Sequence, residues 1–276
     1  MINLEKYSGL PITLKDDFTL QFEKGVEGWP LQTREFSAMK NYLQNPSSSF
    51  WNKTAYLMYR NLSLPEHKEQ IEKANLEYDI TVIVPGLMGR EFSKTVGHYH
   101  PFKTGTSVRV PEVYEVIYGK VYWLIQSATP DLESLSQVFI IEAERGDKII
   151  VPPGYGHVSI NPTNDVLVMS NWQPLNNKGI YEPYERKAGG AFYVLQRDRL
   201  SPDGKSTSQD IEFAPNLNYS KLPKLILAKP RELPKFALVN SLPVYFSATR
   251  DLSVLDFLTS PENYLEDLTP EKLFKW

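Results

Sequence analysis

Gly97-His98-Tyr99-His100, Pro111-Glu112-Val113-Tyr114 with Gly119, and Gly146 through Val151-Pro152-Pro153-Gly154 to His157 and Asn161 decide how this chain is read. The sequence holds only four histidines, His67, His98, His100 and His157, and three of them lie in these stretches. On a β-strand, residues two apart point to one face, so His98 and His100 can reach a single cation without distorting the backbone. Glu112 heads the apolar run Val113–Tyr118, which reads as a strand. His157 follows a Pro-Pro-Gly turn at the end of another, Lys148–Val151. Three neutral nitrogens and one carboxylate suit Fe(II), Mn(II), Zn(II) or Ni(II), and on an octahedral ion they leave two positions open for substrate oxygens. A lone His-x-His pair is more often an ordinary surface or core pair; the joint pattern carries the reading.

The global figures narrow the field. The 276 residues fit one large or two small domains, and a net charge of −3 gives no strong attraction to nucleic acid or acidic membrane. Residues 1–10 lack a basic region followed by an apolar core, so no secretory signal is expected, and no apolar run approaches a membrane span. With no cysteine there is neither disulfide nor thiolate metal knot, which accords with a cytoplasmic protein. Sixteen tyrosines and five tryptophans can supply a packed β core or a sugar pocket.

In chain order, residues 1–32 read as an arm with one or two edge strands. Thr33 to Gln44 has helical spacing at Phe36, Met39, Tyr42 and Leu43, with Thr33 as N-cap and Asn45-Pro46-Ser47-Ser48-Ser49 as its end. Thr54–Arg60 reads as a strand. The polar segment 66–76 carries His67, expected to be solvated. From Tyr78 to Trp172 the expected strands are Ile80–Val84, Lys94–His100, Val113–Tyr118, Val121–Gln126, Gln137–Glu142, Lys148–Val151, His157–Ile160 and Val166–Trp172, which indicates a sandwich or barrel. Ser201–Ser208 reads as a polar turn. Pro215, Pro223, Pro230 and Pro234 punctuate a segment too rich in proline for a helix or a central strand. Short helices are expected in the tail, capped by Ser253, Ser260 and Thr269, and the tail is expected to pack on the β body or on a second subunit.

The glycine, histidine, glutamate, proline and asparagine positions quoted above resemble the two motifs of the cupin superfamily, whose fold is a jelly roll. The spacing from His100 to Glu112 is longer than in most cupins. More specifically, Asp79-Ile80-Thr81-Val82, Pro85-Gly86, Gly89-Arg90-Glu91-Phe92-Ser93-Lys94-Thr95-x-Gly97-His98-x-His100, Glu112-Val113-Tyr114, Gly119 with Gln126, and Val151-Pro152-Pro153 through Asn161 resemble the cupin-type phosphoglucose isomerases. The resemblance covers residues 33–197, read as the isomerase domain between the arm 1–32 and an extension 198–276.

The resemblance implies a mainly β cupin jelly roll that interconverts glucose 6-phosphate and fructose 6-phosphate with one divalent ion, Fe(II) first among the candidates. It makes His98, His100, Glu112 and His157 metal ligands. Thr81, Thr95, Gly97, Tyr181 and Tyr56 would hold the phosphate, with Lys94 supplying charge, and Tyr114 would lie beside the sugar. Glu112 could shuttle a proton between C1 and C2, or the metal could promote a hydride shift; both routes stay open. The threonines also suit plain strand positions, and Tyr114 plain core packing. A homodimer is expected by analogy with other cupins. Another sugar or sugar phosphate, an Fe(II) dioxygenase reaction and non-catalytic sugar binding are the alternatives.

Overall fold

The computed structural model describes residues 1–23, 25–46, 53–129, 132, 134–197 and 211–276. Two sheets form its body. The six-stranded sheet has the spatial order Lys148–Val151, Glu112–Tyr118, Leu167–Pro174, Leu76–Ile83, Thr54–Tyr59, Gln32–Glu35, antiparallel throughout. The five-stranded sheet runs Tyr155–Ile160, Lys120–Ala128, Leu135–Glu144, Leu225–Pro230, Phe274–Lys275. Gly119, at φ 88°, turns the chain from one sheet to the other; a Cβ there would stand 2.6 Å from the Val166 carbonyl oxygen, so no larger residue fits the turn. The result is the expected mainly β cupin jelly roll, with few and short helices.

Period two sorts the six-stranded sheet into two faces. Met58 pairs with Thr81, Thr81 with Met169, and Asn171 with Tyr114. These side chains, with Arg34, Tyr56, Glu112 and Gln173, line one cleft on the barrel's inner side. The opposite face is covered by the tail and the arm. Tyr245, in the helix Val244–Arg250, stacks on Trp172 at 6.0 Å and meets Tyr78 edge-on at 5.0 Å. Leu4, Leu10, Ile12 and Leu14 of the arm join the same core. A sheet buried on both sides explains why Leu167–Pro174 is buried along its whole length, polar residues included.

Several elements differ from expectation. No helix starts at Thr33: Gln32–Glu35 is an edge strand with Thr33 opposite Leu57, and a 3-10 helix covers Phe36–Tyr42. At Thr33 cross-strand pairing outweighs the helical spacing of the residues that follow. Lys94–His100 is no continuous strand. It bridges Ile160 at Lys94, His157 at His98 and Ile180 at Tyr99, and the Thr95 hydroxyl accepts the Ser159 N–H, which interrupts the backbone ladder. Leu225–Pro230 is an interior strand parallel to Leu135–Glu144, with its proline at the terminal position, opposite Phe274. Asp251, not Ser253, caps the 3-10 helix Leu252–Leu255 by accepting the Ser253 N–H. Ser260 and Thr269 stand at the N-termini of short helices but make no side-chain cap bond. His67 is half-buried, its Nδ1 3.1 Å from the Tyr245 hydroxyl, because its helix packs on the tail. The turn expected at 201–208 and the serines 47–49 lie outside the described residues. Among the described residues no helix is long and apolar enough to cross a membrane.

Candidate metal centre and substrate cleft

His98, His100, Glu112 and His157 converge although they come from three segments. Their ligand atoms all lie within 4.8 Å of one another. His98 and His157 are set side by side by a two-way backbone bridge, His98 N–H to the His157 carbonyl at 3.3 Å and the reverse at 3.1 Å. Glu112 opens its strand opposite Val151, and His157 lies across from Ile125 in the other sheet, so the group spans the two walls of the barrel.

The donor atoms fit a cation. His100 Nδ1 lies 2.9 Å from the Val110 carbonyl oxygen. A carbonyl only accepts, so Nδ1 carries the proton and Nε2 presents a lone pair. That Nε2 is 3.1 Å from Glu112 Oε2, which is itself 3.3 Å from His157 Nε2. Neither His100 Nε2 nor Glu112 Oε2 has a hydrogen-bond partner, though both are buried. Acceptors crowded together in this way repel unless a positive charge lies among them. Burial first, and then the neighbouring imidazoles, hold His98 and His157 well below the ordinary histidine range, so both are neutral and able to ligate.

The residues that follow His100 brace it. The segment 101–111, the long spacing noted in the sequence, folds back on itself with Phe102 bridged to Arg109. Arg109 lies 4.1 Å over the Phe102 ring and donates to the His100 carbonyl at 2.7 Å. Lys103 pairs with Glu262 in the tail, which fastens the loop from outside.

A cleft of about 580 Å³, including its open mouth, reaches the group where His98 and Glu112 line it. Thr81, Thr95, Tyr56, Tyr181 and Tyr114 line it as well, so most of the sequence-derived site residues come together. The Tyr181 ring lies 5.2 Å from that of His98, and the Tyr114 hydroxyl 3.0 Å from His157 Nε2. Burial and the Glu112 charge push the Tyr114 phenol well above its usual pKa, so it remains a proton donor.

One expected member stands elsewhere. Lys94 is 4% exposed, paired with Glu91 and bonded to the Tyr42 carbonyl at 2.8 Å, and it does not line the cleft. Its neighbour in sequence misled: charge near a motif says nothing about which face of the chain it occupies. Gly97, between the cleft-lining Val96 and His98, has no room for a side chain, since a Cβ would stand 2.3 Å from the Tyr184 ring, and this packing bears on its bare Cα and not on its backbone N–H. The cleft's cations are instead Arg34 and Arg60. Arg60 pairs with Asp79 at 2.7 Å, and Asp79 also accepts from Gln173 at 3.0 Å. Sequence reading missed both arginines, Asn171 and Gln173. Period two from Tyr56 through Met58 to Arg60 was the available signal for one of them.

Fold and site together define a class: a cupin barrel with a three-histidine, one-glutamate group able to hold a metal ion at the bottom of a polar cleft. The family model described as glucose-6-phosphate isomerase matches residues 33–209, and the chain belongs to that family. It is 31% identical over 186 residues to the glucose-6-phosphate isomerase of Thermococcus litoralis, covering 66% of this chain and 90% of that one. It is 28% identical over 160 residues to the enzyme of the same name from Pyrococcus abyssi, covering 57% and 76%. Against the putative glucose-6-phosphate isomerase 1 of Rhizobium meliloti the identity is 28% over 162 residues, covering 59% and 65%. Among solved structures, an oxalate oxidase is similar at 16% identity and a TM-score of 0.30, covering 39% of this chain and 46% of that one, too slight a likeness to argue from.

Proposed function

We propose that this chain interconverts glucose 6-phosphate and fructose 6-phosphate with one divalent ion held by His98, His100, Glu112 and His157. The observation that carries the reading is the cleft itself, in which hydroxyl-bearing Thr81, Thr95, Tyr56 and Tyr181 share one wall system with His98 and Glu112. Such a cleft suits a molecule with an anion at one end and vicinal oxygens at the other.

Bound there, the ion would polarise the carbonyl and stabilise charge on a neighbouring oxygen. Fe(II) is the first candidate, with Mn(II), Zn(II) and Ni(II) also suited to the donor set. The chain's own groups do the rest. Glu112, the carboxylate of the group, moves a proton between C1 and C2 on one face of the sugar, with a hydride shift promoted by the ion as the rival route. Tyr114, kept protonated by its surroundings, donates to a sugar oxygen and orients it. Tyr56, Thr81, Thr95 and Tyr181 bind the phosphate through hydroxyls. Lys94 has no direct part, since its ammonium is spent on Glu91. Gly97 acts by letting Tyr184 close behind the histidine segment.

A charged sugar phosphate does not cross membranes unaided, which supports a cytoplasmic setting for the reaction. By analogy with other cupins the chain works as a homodimer, which a mass measurement in solution tests. The deciding assay couples fructose 6-phosphate conversion to a dehydrogenase, using metal-loaded and chelator-stripped protein. Metal-dependent turnover supports the reading, and none sinks it. A panel including mannose 6-phosphate and free sugars separates this substrate from others that the same cleft could take.

A further inference from the structure

The two oxygens of Glu112 have unequal surroundings. Oε2 faces His100 and His157 and has no hydrogen-bond partner, whereas Oε1 accepts from the Asn171 side-chain amide at 2.7 Å. Asn171 is 5% exposed and lies in the middle of the strand Leu167–Pro174, directly opposite Tyr114 in the ladder. Its donor is therefore fixed by a central strand with neighbours on both sides. An ionised carboxylate accepts through both oxygens and, left free, can turn to grip a cation with the pair.

We infer that Asn171 is a positioning residue for the metal centre: it reserves Oε1 of Glu112, so that the carboxylate offers the ion Oε2 alone. The inference rests on the metal-centre reading above. One-oxygen ligation keeps the coordination count of the four side chains low and leaves room for two substrate oxygens. It also sets the plane of the carboxylate, and with it the direction from which Oε2 meets the sugar. Gln173, two residues on and on the same face, holds Asp79 at 3.0 Å and Glu77 at 2.8 Å. One strand thus supplies two amides to two sets of carboxylates, but Gln173 serves the Arg60 pair, and only Asn171 reaches a member of the imidazole group.

The test is calorimetric titration of the full metal-free chain with Mn(II), together with visible spectra of the Co(II)-loaded protein, for wild type, Asn171→Ala and Asn171→Leu. Leucine keeps the heavy-atom count and the branch at Cγ without the amide, so a cavity effect confined to alanine is recognised, and melting temperatures of the metal-free forms report folding. The expected result is one Mn(II) site in all three proteins, weakened about 10- to 100-fold in both variants, with an altered Co(II) spectrum. Wild-type affinity and spectrum in either folded variant overturn the inference alone. A wild-type chain that takes up no divalent ion overturns the metal-centre reading and the inference with it.

Discussion

His100 Nε2 and Glu112 Oε2 lie 3.1 Å apart, both buried, and neither has a hydrogen-bond partner. The Val110 carbonyl fixes the His100 tautomer, so a lone pair faces a carboxylate oxygen. The expected consequence is stabilisation by metal. Saturating the chain with a divalent ion at about 100 times its dissociation constant should add about 2.7 kcal/mol and raise the melting temperature. His157→Ala should abolish that rise and lower metal content and activity together. Melting curves and elemental analysis check this; an unchanged metal content in the variant refutes it.

Thr95 has two tasks. Its hydroxyl accepts the Ser159 N–H at 3.1 Å and also lines the cleft. Thr95→Val should raise the Michaelis constant for fructose 6-phosphate about 10-fold, the loss of roughly one hydrogen bond to a charged group. It should also cost about 1–3 kcal/mol of stability by orphaning a backbone donor. Thr95→Ser should recover both. A variant with unaltered Michaelis constant removes Thr95 from the phosphate's surroundings.

Lys94 and Glu91 form a buried ion pair away from the cleft. Lys94→Met strands the carboxylate and should destabilise the fold by about 3–5 kcal/mol, while the folded fraction keeps its Michaelis constant. Glu91→Gln with Lys94→Met should recover much of the loss. Denaturant titration and kinetics of the double variant decide; a large rise in Michaelis constant there returns Lys94 to the substrate.

Arg109 reaches the metal group through main chain, donating to the His100 carbonyl at 2.7 Å. Arg109→Met should loosen the segment that holds His100 and weaken Mn(II) binding about 10-fold, with little change in the stability of the metal-free chain. Calorimetry provides the measurement, and an unchanged dissociation constant refutes the bracing role.

Glu77 gives a pH signature. Burial first, and then the Asp79 charge, raise its carboxyl from an ordinary 4.5 to about 7. The folded state therefore holds a proton that the unfolded chain releases between these values. Stability associated with Glu77 is complete below pH 4.5 and is lost as pH rises through about 7. Glu77→Gln should raise the melting temperature at pH 8 and leave it nearly unchanged at pH 4.5. Equal effects at both pH values would contradict the shifted titration.

The β class, the family and the choice of three histidines and a glutamate as a group able to hold a metal were legible in the sequence, because these rest on residue identity and short-range spacing. The His-x-His pair, the glutamate heading an apolar run, Gly119 at the turn and Pro152-Pro153-Gly154 before His157 are all visible as short patterns. Tertiary structure alone decided which charges face the cleft. Lys94 sits within the motif yet turns to Glu91, while Arg34 and Arg60, remote from it in sequence, line the cleft. It also decided that Thr33 pairs in a sheet and that Asn171 meets Glu112. Those outcomes depend on cross-strand register and on the two-sided burial of one sheet, energies of contact between distant residues that no local pattern encodes.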